Sequence, residues 1–179
     1  PTSKRSAFKM AQDFLEPPTY KLHDVYRALS ILAKESDLIQ TDCYKNSSFL
    51  YNRDTRILYY DCSNFYFEIE QEDGKKKYGK SKEHRPNPIV QMGLFMDRDG
   101  IPLAFSIFPG NENEQPSLKP LETKVIQQMG CDKFIYCSDA GLASQANRRL
   151  NHTANRSFIV TQSIKKLKSE YKEDALKKT

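Results

Sequence analysis

The feature that most limits what this chain can fold into is the run at residues 57–69, Ile57-Leu58-Tyr59-Tyr60-Asp61-Cys62-Ser63-Asn64-Phe65-Tyr66-Phe67-Glu68-Ile69. β-Branched and aromatic side chains dominate it, and these favour the pleated, half-buried surface of a strand. One carboxylate, Asp61, sits in the middle. Asp is a poor strand former, and an ionised Asp is seldom fully buried unless it is paired or bound to a cation. Asp61 is therefore either a device that keeps an edge strand soluble or a working residue. The rest of the chain has to separate these two readings.

With 179 residues the chain can build one domain with a real core. Hydrophobic residues make up 38% and charged residues 28%, the balance of a soluble globular chain rather than a disordered one. No apolar run approaches the length of a membrane span, so no membrane partner is expected. No basic-then-apolar leader is visible, and a cytoplasmic setting is expected. The chain opens on Pro1 rather than Met, which reads as an excised or processed piece of a longer protein. Cys43, Cys62, Cys131 and Cys137 show no C-x-x-C spacing, so reduced thiols are expected rather than a zinc site or a disulfide scaffold. The formal charge of +5 fits a nucleic-acid partner without requiring one.

Along the chain, residues 1–20 are polar and broken by Pro17-Pro18, an arm or a short helix. Leu22, Val25, Tyr26, Leu29, Leu32 and Ala33 then recur at three- and four-residue steps, one face of an amphipathic helix. Ser36 stops it or caps a second short helix through about residue 44. A helical pair packed on the following domain is the plain reading, and a DNA-contacting helical unit the alternative. Asn52-Arg53-Asp54 reads as a turn. After the first strand comes a charged loop at 70–88, a second strand at 89–96, a hairpin turn at 97–100 with Gly100 at positive φ, and a third strand at 101–108. A helix from Pro116 to about Met129 follows, with Gly130 as its C-cap. A short strand at 134–137, a helix at 144–150, a strand at 158–160 and a Lys-rich helix at 164–176 complete the chain.

The order β-β-β-α-β-α-β-α predicts an α/β domain: a mixed sheet of three antiparallel strands followed by β-α-β units, flanked by helices. This is the ribonuclease H-like order, here with an N-terminal helical extension. Residues 1–50 form the arm and helical segment, and residues 51–179 the core. In that fold the first strand is central and the fourth lies beside it. Asp61 and Asp139, the latter just past the fourth strand, would then converge. Two close carboxylates repel each other unless a cation lies between them. Hard oxygen ligands favour Mg²⁺ or Mn²⁺. Two such ions roughly 3.5–4 Å apart can activate a hydroxyl and stabilise the leaving oxygen of a phosphodiester. A second ion needs at least one further carboxylate. Taken alone, Asp139 before Ala140-Gly141 could instead be a turn residue or helix cap.

Several blocks then resemble one family. They are residues 59–68, Gly79-Lys80-Ser81-Lys82-Glu83-His84-Arg85-Pro86-Asn87-Pro88 running on to Leu94, Gly100-Ile101-Pro102-Leu103, Phe108-Pro109-Gly110-Asn111 and Ser138-Asp139-Ala140-Gly141. In this order, over about residues 22–168, they resemble the DDE transposases of bacterial insertion sequences, the IS-four-like group. The resemblance implies a ribonuclease H-like catalytic core and Mg²⁺- or Mn²⁺-dependent endonuclease cutting at transposon ends. Strand transfer into target DNA would follow, carried out by a homodimer in the bacterial, nucleoid-associated cytoplasm. It implies that Asp61 and Asp139 are the first two catalytic, metal-holding acids. The family's third acid is a Glu on a later helix, in Tyr-x2-Arg-x3-Glu-x6-Lys surroundings that do not occur here; Glu170 and Glu173 fall too early. The third catalytic Glu is thus expected outside this chain, and the piece alone is expected to be inactive.

Positive charge near the catalytic face suits phosphates. Lys80, Lys82, His84 and Arg85 are the expected DNA-binding residues, with Asn111 approaching the site, Ser63 on the same strand face as Asp61, and Lys75 to Lys77 either contributing or forming a solvated loop. Two other functions compete. One is a non-catalytic DNA-binding fragment of a truncated or decayed transposase. The other is a different ribonuclease H-like nuclease acting on RNA or a DNA junction.

Overall fold

A computed structural model describes residues 3–177. The chain divides into two compact units, Pro1–Cys43 and Tyr44–Thr179. The first opens with α1 (Lys4–Ala11), whose start is capped by Ser3 Oγ accepting from Ser6 N at 3.1 Å. After the Pro17-Pro18 break comes α2 (Leu22–Lys34), where Lys21 N donates to Asp24 Oδ2 at 2.9 Å. Helix α3 (Ser36–Leu50) runs further than its sequence pattern predicts, and its second half, from Tyr44 on, belongs to the second unit.

The second unit is built on five strands: β1 (Ile57–Tyr66), β2 (Ile89–Met96), β3 (Pro102–Pro109), β4 (Phe134–Ser138) and β5 (Arg156–Val160). They form one sheet in the order β3-β2-β1-β4-β5. The β1–β2 and β2–β3 pairs are antiparallel, and the β1–β4 and β4–β5 pairs are parallel. The helices of this unit are α4 (Leu118–Met129), α5 (Gln145–Leu150) and α6 (Ser169–Leu176). The sheet is therefore mixed, and the unit α/β, with β1 central and β4 at its side.

Alternation along β1 sorts its side chains. Leu58, Tyr60 and Cys62 are 0–1% exposed and join Phe95, Leu118, Leu121, Val125 and Tyr136 in the core. Tyr59, Asp61 and Ser63 alternate with them on the other face and are exposed. Gly93 lies opposite Cys62, where a Cβ would come within 2.2 Å of Tyr60 Oη. Only glycine leaves room for that phenol, which shares a 2.5 Å hydrogen bond with Ser117 Oγ.

Three expectations are corrected. Strand β1 stops at Tyr66 rather than residue 69, because its partner β2 starts at Ile89 after Pro88, which has no N–H to offer; Phe67 N donates once to Pro88 O. Helix α4 starts at Leu118, with Pro116 in a preceding 3₁₀ turn. The last helix is split: a 3₁₀ turn at Ile164–Lys166, extended backbone at Leu167 and Lys168, then α6. Of its expected apolar points Leu167, Tyr171 and Leu176, only Leu167 is half-buried while Tyr171 and Leu176 are 57% and 61% exposed, so burial does not hold one continuous helix together. The turn signals hold: Gly100 and Gly130 have φ of 77° and 71°. Ser144, expected as the first residue of its helix, stands just outside it as the cap of α5. All four cysteines are free thiols.

Two buried polar clusters brace the unit. Arg53 and Asp97, with side chains 2% and 0% exposed, form an ion pair. Arg53 also donates to Ser47 Oγ and to the carbonyls of Ile101 and Pro102, and Asp97 Oδ1 accepts from Asp99 N and Ile101 N. The pair thus ties the segment before β1 to the β2–β3 hairpin. The second cluster is Glu122 on α4, which accepts from Asn151 Nδ2 at 2.8 Å and lies 3.2 Å from Arg156 Nε. That charge pair lacks hydrogen-bond alignment: Glu122 Oε1, Arg156 Nε, Asn151 Oδ1 and the nearby Tyr136 hydroxyl are all buried without a hydrogen-bond partner. Burial raises the Glu122 carboxyl above its ordinary range, opposed by Asn151 and Arg156.

Replacing Asp97 with Ala leaves Arg53 buried and uncompensated, at a cost of about 3–5 kcal/mol. A urea midpoint shifted by less than about 1 kcal/mol of stability, at unchanged m-value, contradicts this. For Glu122 the folded state holds its proton more tightly than the unfolded chain does. Its contribution to stability is therefore full below the unfolded carboxyl pKa and is lost as pH rises through the raised folded one. Unfolding free energy measured from pH 4 upward should show this decline in the wild type and a flatter profile in Glu122→Gln.

Candidate functional site

Strands β1 and β4 run side by side with Ile57 opposite Ile135, Leu58 opposite Tyr136 and Tyr59 opposite Cys137. Two residues beyond the Tyr59–Cys137 pair stand Asp61, within β1, and Asp139, one residue past the end of β4; both are exposed. Continued by one pleat, this register would put the two positions side by side where β4 ends and β1 continues. The carboxyl ends of parallel strands are where open α/β sheets bind ligands.

Asp139 does two things at once. Its Oδ1 accepts from Leu142 N at 3.1 Å, closing the turn after β4. Its other oxygen has no hydrogen-bond partner among the described residues. Asp61 Oδ1 accepts from Cys62 N at 2.8 Å. The pair supplies the hard oxygen donors that Mg²⁺ or Mn²⁺ takes. Among the described residues, no group of three or more His, Cys, Asp and Glu side chains is arranged to hold a metal ion. The donors thus fit part of such a site. Cys62, directly after Asp61, is no nucleophile: burial pushes its thiol up, and its side chain faces the core.

The basic loop lies against β1. Lys82 donates from its ammonium to Cys62 O and from its backbone to Asn64 Oδ1 at 3.3 Å, and Asn64 Nδ2 reaches Lys80 O at 3.5 Å. Ser81 is buried and its Oγ accepts from Glu83 N and Arg85 N. His84 takes a positive φ of 56° to close that turn. Gly79 packs on Gly110 so closely that a Cβ would lie 1.9 Å from Gly110 O. Gln91, buried in β2, donates to the carbonyls of Pro109, Gly110 and Glu112 and shapes the loop after β3.

The result is a groove of about 700 Å³ lined by Lys80, Lys82, His84, Asn111, Glu114 and Gly141, among others. Four of the five expected DNA-binding residues share it. Arg85 does not line it; its guanidinium sits 4.9 Å from the centre of the Tyr66 ring and pairs with Glu83. Lys75, Lys76 and Lys77 have local partners in Ile107 O, Asp73 and Glu72, so that run is a braced turn. Ser63 shares the exposed face of Asp61. Sequence reasoning misses Asn64 and Gln91. Gln91 carries a signal, a polar residue alternating into an apolar strand, whereas the role of Asn64 depends on where a distant loop lands.

No family model matches the chain, and no curated protein matches it. Among solved structures it is similar to a Mos1 transposase paired-end complex with left transposon end, at 16% identity and TM-score 0.40, over 89% of this chain and 59% of that one. It is also similar to a Mos1 mariner paired-end complex with Mn, at 15% identity and TM-score 0.37, over 87% of this chain and 50% of the other. For a pre-cleavage Mos1 transpososome the values are 18% and 0.37, over 71% and 40%. The chain therefore spans about two fifths to three fifths of the length of these proteins.

The two tasks of Asp139 separate by substitution. Asp139→Asn keeps the Oδ1 acceptor and should match the wild type in stability. Asp139→Ala removes it, at a cost of about 1 kcal/mol. Equal thermal midpoints for both variants would show that the turn does not rely on this side chain.

Proposed function

We propose that this chain is part of the catalytic core of a DDE transposase with a ribonuclease H-like fold, cutting phosphodiesters at transposon ends and joining them to target DNA. What supports this reading is the parallel pairing of β1 with β4, two residues before Asp61 and Asp139, in a unit that also carries a groove lined by Lys80, Lys82 and His84. Paired carboxylates next to cationic side chains suit a metal-assisted reaction on a polyanion. The sequence blocks shared with the IS-four-like group supply the identity of the reaction.

In this reading Asp61 and Asp139 hold Mg²⁺ or Mn²⁺, which when bound activates the attacking hydroxyl and stabilises the leaving oxygen. Lys80 and Lys82 hold the phosphate backbone, His84 and Asn111 line its path, and Arg85 acts from the outer edge of the loop. Tyr66 and Ser81 keep that loop in shape. A full site needs a third acid, a Glu supplied from outside this chain. By the same resemblance the working form is a homodimer on paired DNA ends in the bacterial cytoplasm.

One observation favours a second reading, a DNA-binding piece without catalysis: no third acid joins the pair among the described residues. Titration calorimetry with Mn²⁺ tests the metal half of the proposal. Weak binding is expected in the wild type and none in Asp61→Asn or Asp139→Asn. Heat traces identical in all three proteins overturn the assignment of these residues as metal ligands. Nicking of transposon-end DNA should appear only when the third acid is restored in a longer chain.

A further inference from the structure

A second basic surface lies beyond the carboxylate pair. Residues 140–169 contain Arg148, Arg149, Arg156, Lys165, Lys166 and Lys168 but no Asp or Glu. Arg156 is committed to Glu122. Arg148 and Arg149 on α5, and Lys119 on the first turn of α4, have no carboxylate partner among the described residues. Lys119 and Arg149 are exposed, and Arg148 is partly so. The one acid of α4, Glu122, is buried and faces inward, so it does not neutralise this surface.

The surface is shaped as well as charged. A groove of about 590 Å³ runs between Gln115, Lys119, Ser144 and Arg149. Arg149 also borders a further depression with Arg148, His152 and Phe158. The larger groove abuts the Lys80–Lys82 groove: Glu114 and Gly141 line the one, Gln115 and Ser144 the other, and Gln115 Nε2 donates to Gly141 O at 2.9 Å between them. Cationic side chains thus border a continuous path that starts at the basic loop, passes the turn after Asp139 and continues along α5.

We propose that Lys119, Arg148 and Arg149 form a second phosphate-binding track, holding the backbone of a nucleic acid strand as it leaves the Asp61–Asp139 pair. This rests on the reading of the chain as a DNA-processing core and extends it. Guanidinium and ammonium groups along a groove whose own lining holds no carboxylate match the sign of a phosphate backbone. Arg supplies forked donors suited to phosphate oxygens. The side chains do not read bases, so this track adds affinity and orientation rather than sequence preference.

The test is fluorescence anisotropy with a labelled 30-base-pair duplex, titrated at several NaCl concentrations. The proteins are the wild-type chain, Lys119→Ala/Arg148→Ala/Arg149→Ala, Arg148→Lys/Arg149→Lys and Lys80→Ala/Lys82→Ala. The slope of log K against log salt should fall by roughly 0.9 for each phosphate that is no longer neutralised. A decrease of about 2–3 in the triple-Ala variant, with the Lys variant close to the wild type, supports the proposal. A wild-type slope in the triple-Ala variant, alongside a reduced slope in Lys80→Ala/Lys82→Ala, overturns the track and leaves the DNA-processing reading intact. No DNA binding by the wild-type chain overturns both. Displacement of the duplex by polyglutamate, with direct polyglutamate binding of equal strength, overturns the choice of nucleic acid as the partner.

Discussion

The pairing of β1 with β4 is the constraint on which the candidate site depends. The two strands are far apart in sequence and parallel, so no hairpin can align them. Their register is set by burial: Leu58 and Tyr60 must face the same core as Phe134 and Tyr136. A slip of one residue in either strand would turn its core side chains out to solvent and its solvent side chains in. Once the inward residues are matched, Asp61 is turned to the opposite, exposed face and Asp139 follows directly on the end of β4.

Around this pair the structure uses close packing of the backbone rather than many charges to hold the basic loop. Gly79 against Gly110, buried Ser81 and the three carbonyls gathered by Gln91 fix where Lys80 and Lys82 emerge. Asn64 then anchors the loop to β1, directly after Ser63 and on the same strand as Asp61. Lys80, Lys82 and His84 therefore line a groove that also carries Glu114, while Asp61 and Asp139 lie outside its lining.

Much of the fold is legible in the sequence because its signals are local. The aromatic run of β1, the Asp97-to-Gly100 turn and the Gly130 cap each depend on a few adjacent residues, and each stands in the structure. The last helix departs from its sequence pattern because Tyr171 and Leu176 stay exposed and only Leu167 is half-buried, and helical spacing with so little burial does not hold one continuous helix. The Arg53–Asp97 pair and the Glu122–Asn151–Arg156 cluster are invisible from sequence. Each joins residues whose only relation is that folding removes both from water.

Sequence by itself determined the order of strands and helices, the strand character of the run around Asp61, the positions of the turns and the blocks that resemble the DDE transposases. These follow from backbone propensity and from side-chain periods of two and 3.6, which act within a few residues. Tertiary structure alone decided that Asp61 faces solvent, that Asp139 both closes a turn and keeps an oxygen free, and that Lys80 and Lys82 but not Lys75 to Lys77 border the groove. It also decided that Arg148 and Arg149 line depressions beside α5. Those outcomes depend on which distant segments share a surface, and that is set by packing the core rather than by any local preference of the chain.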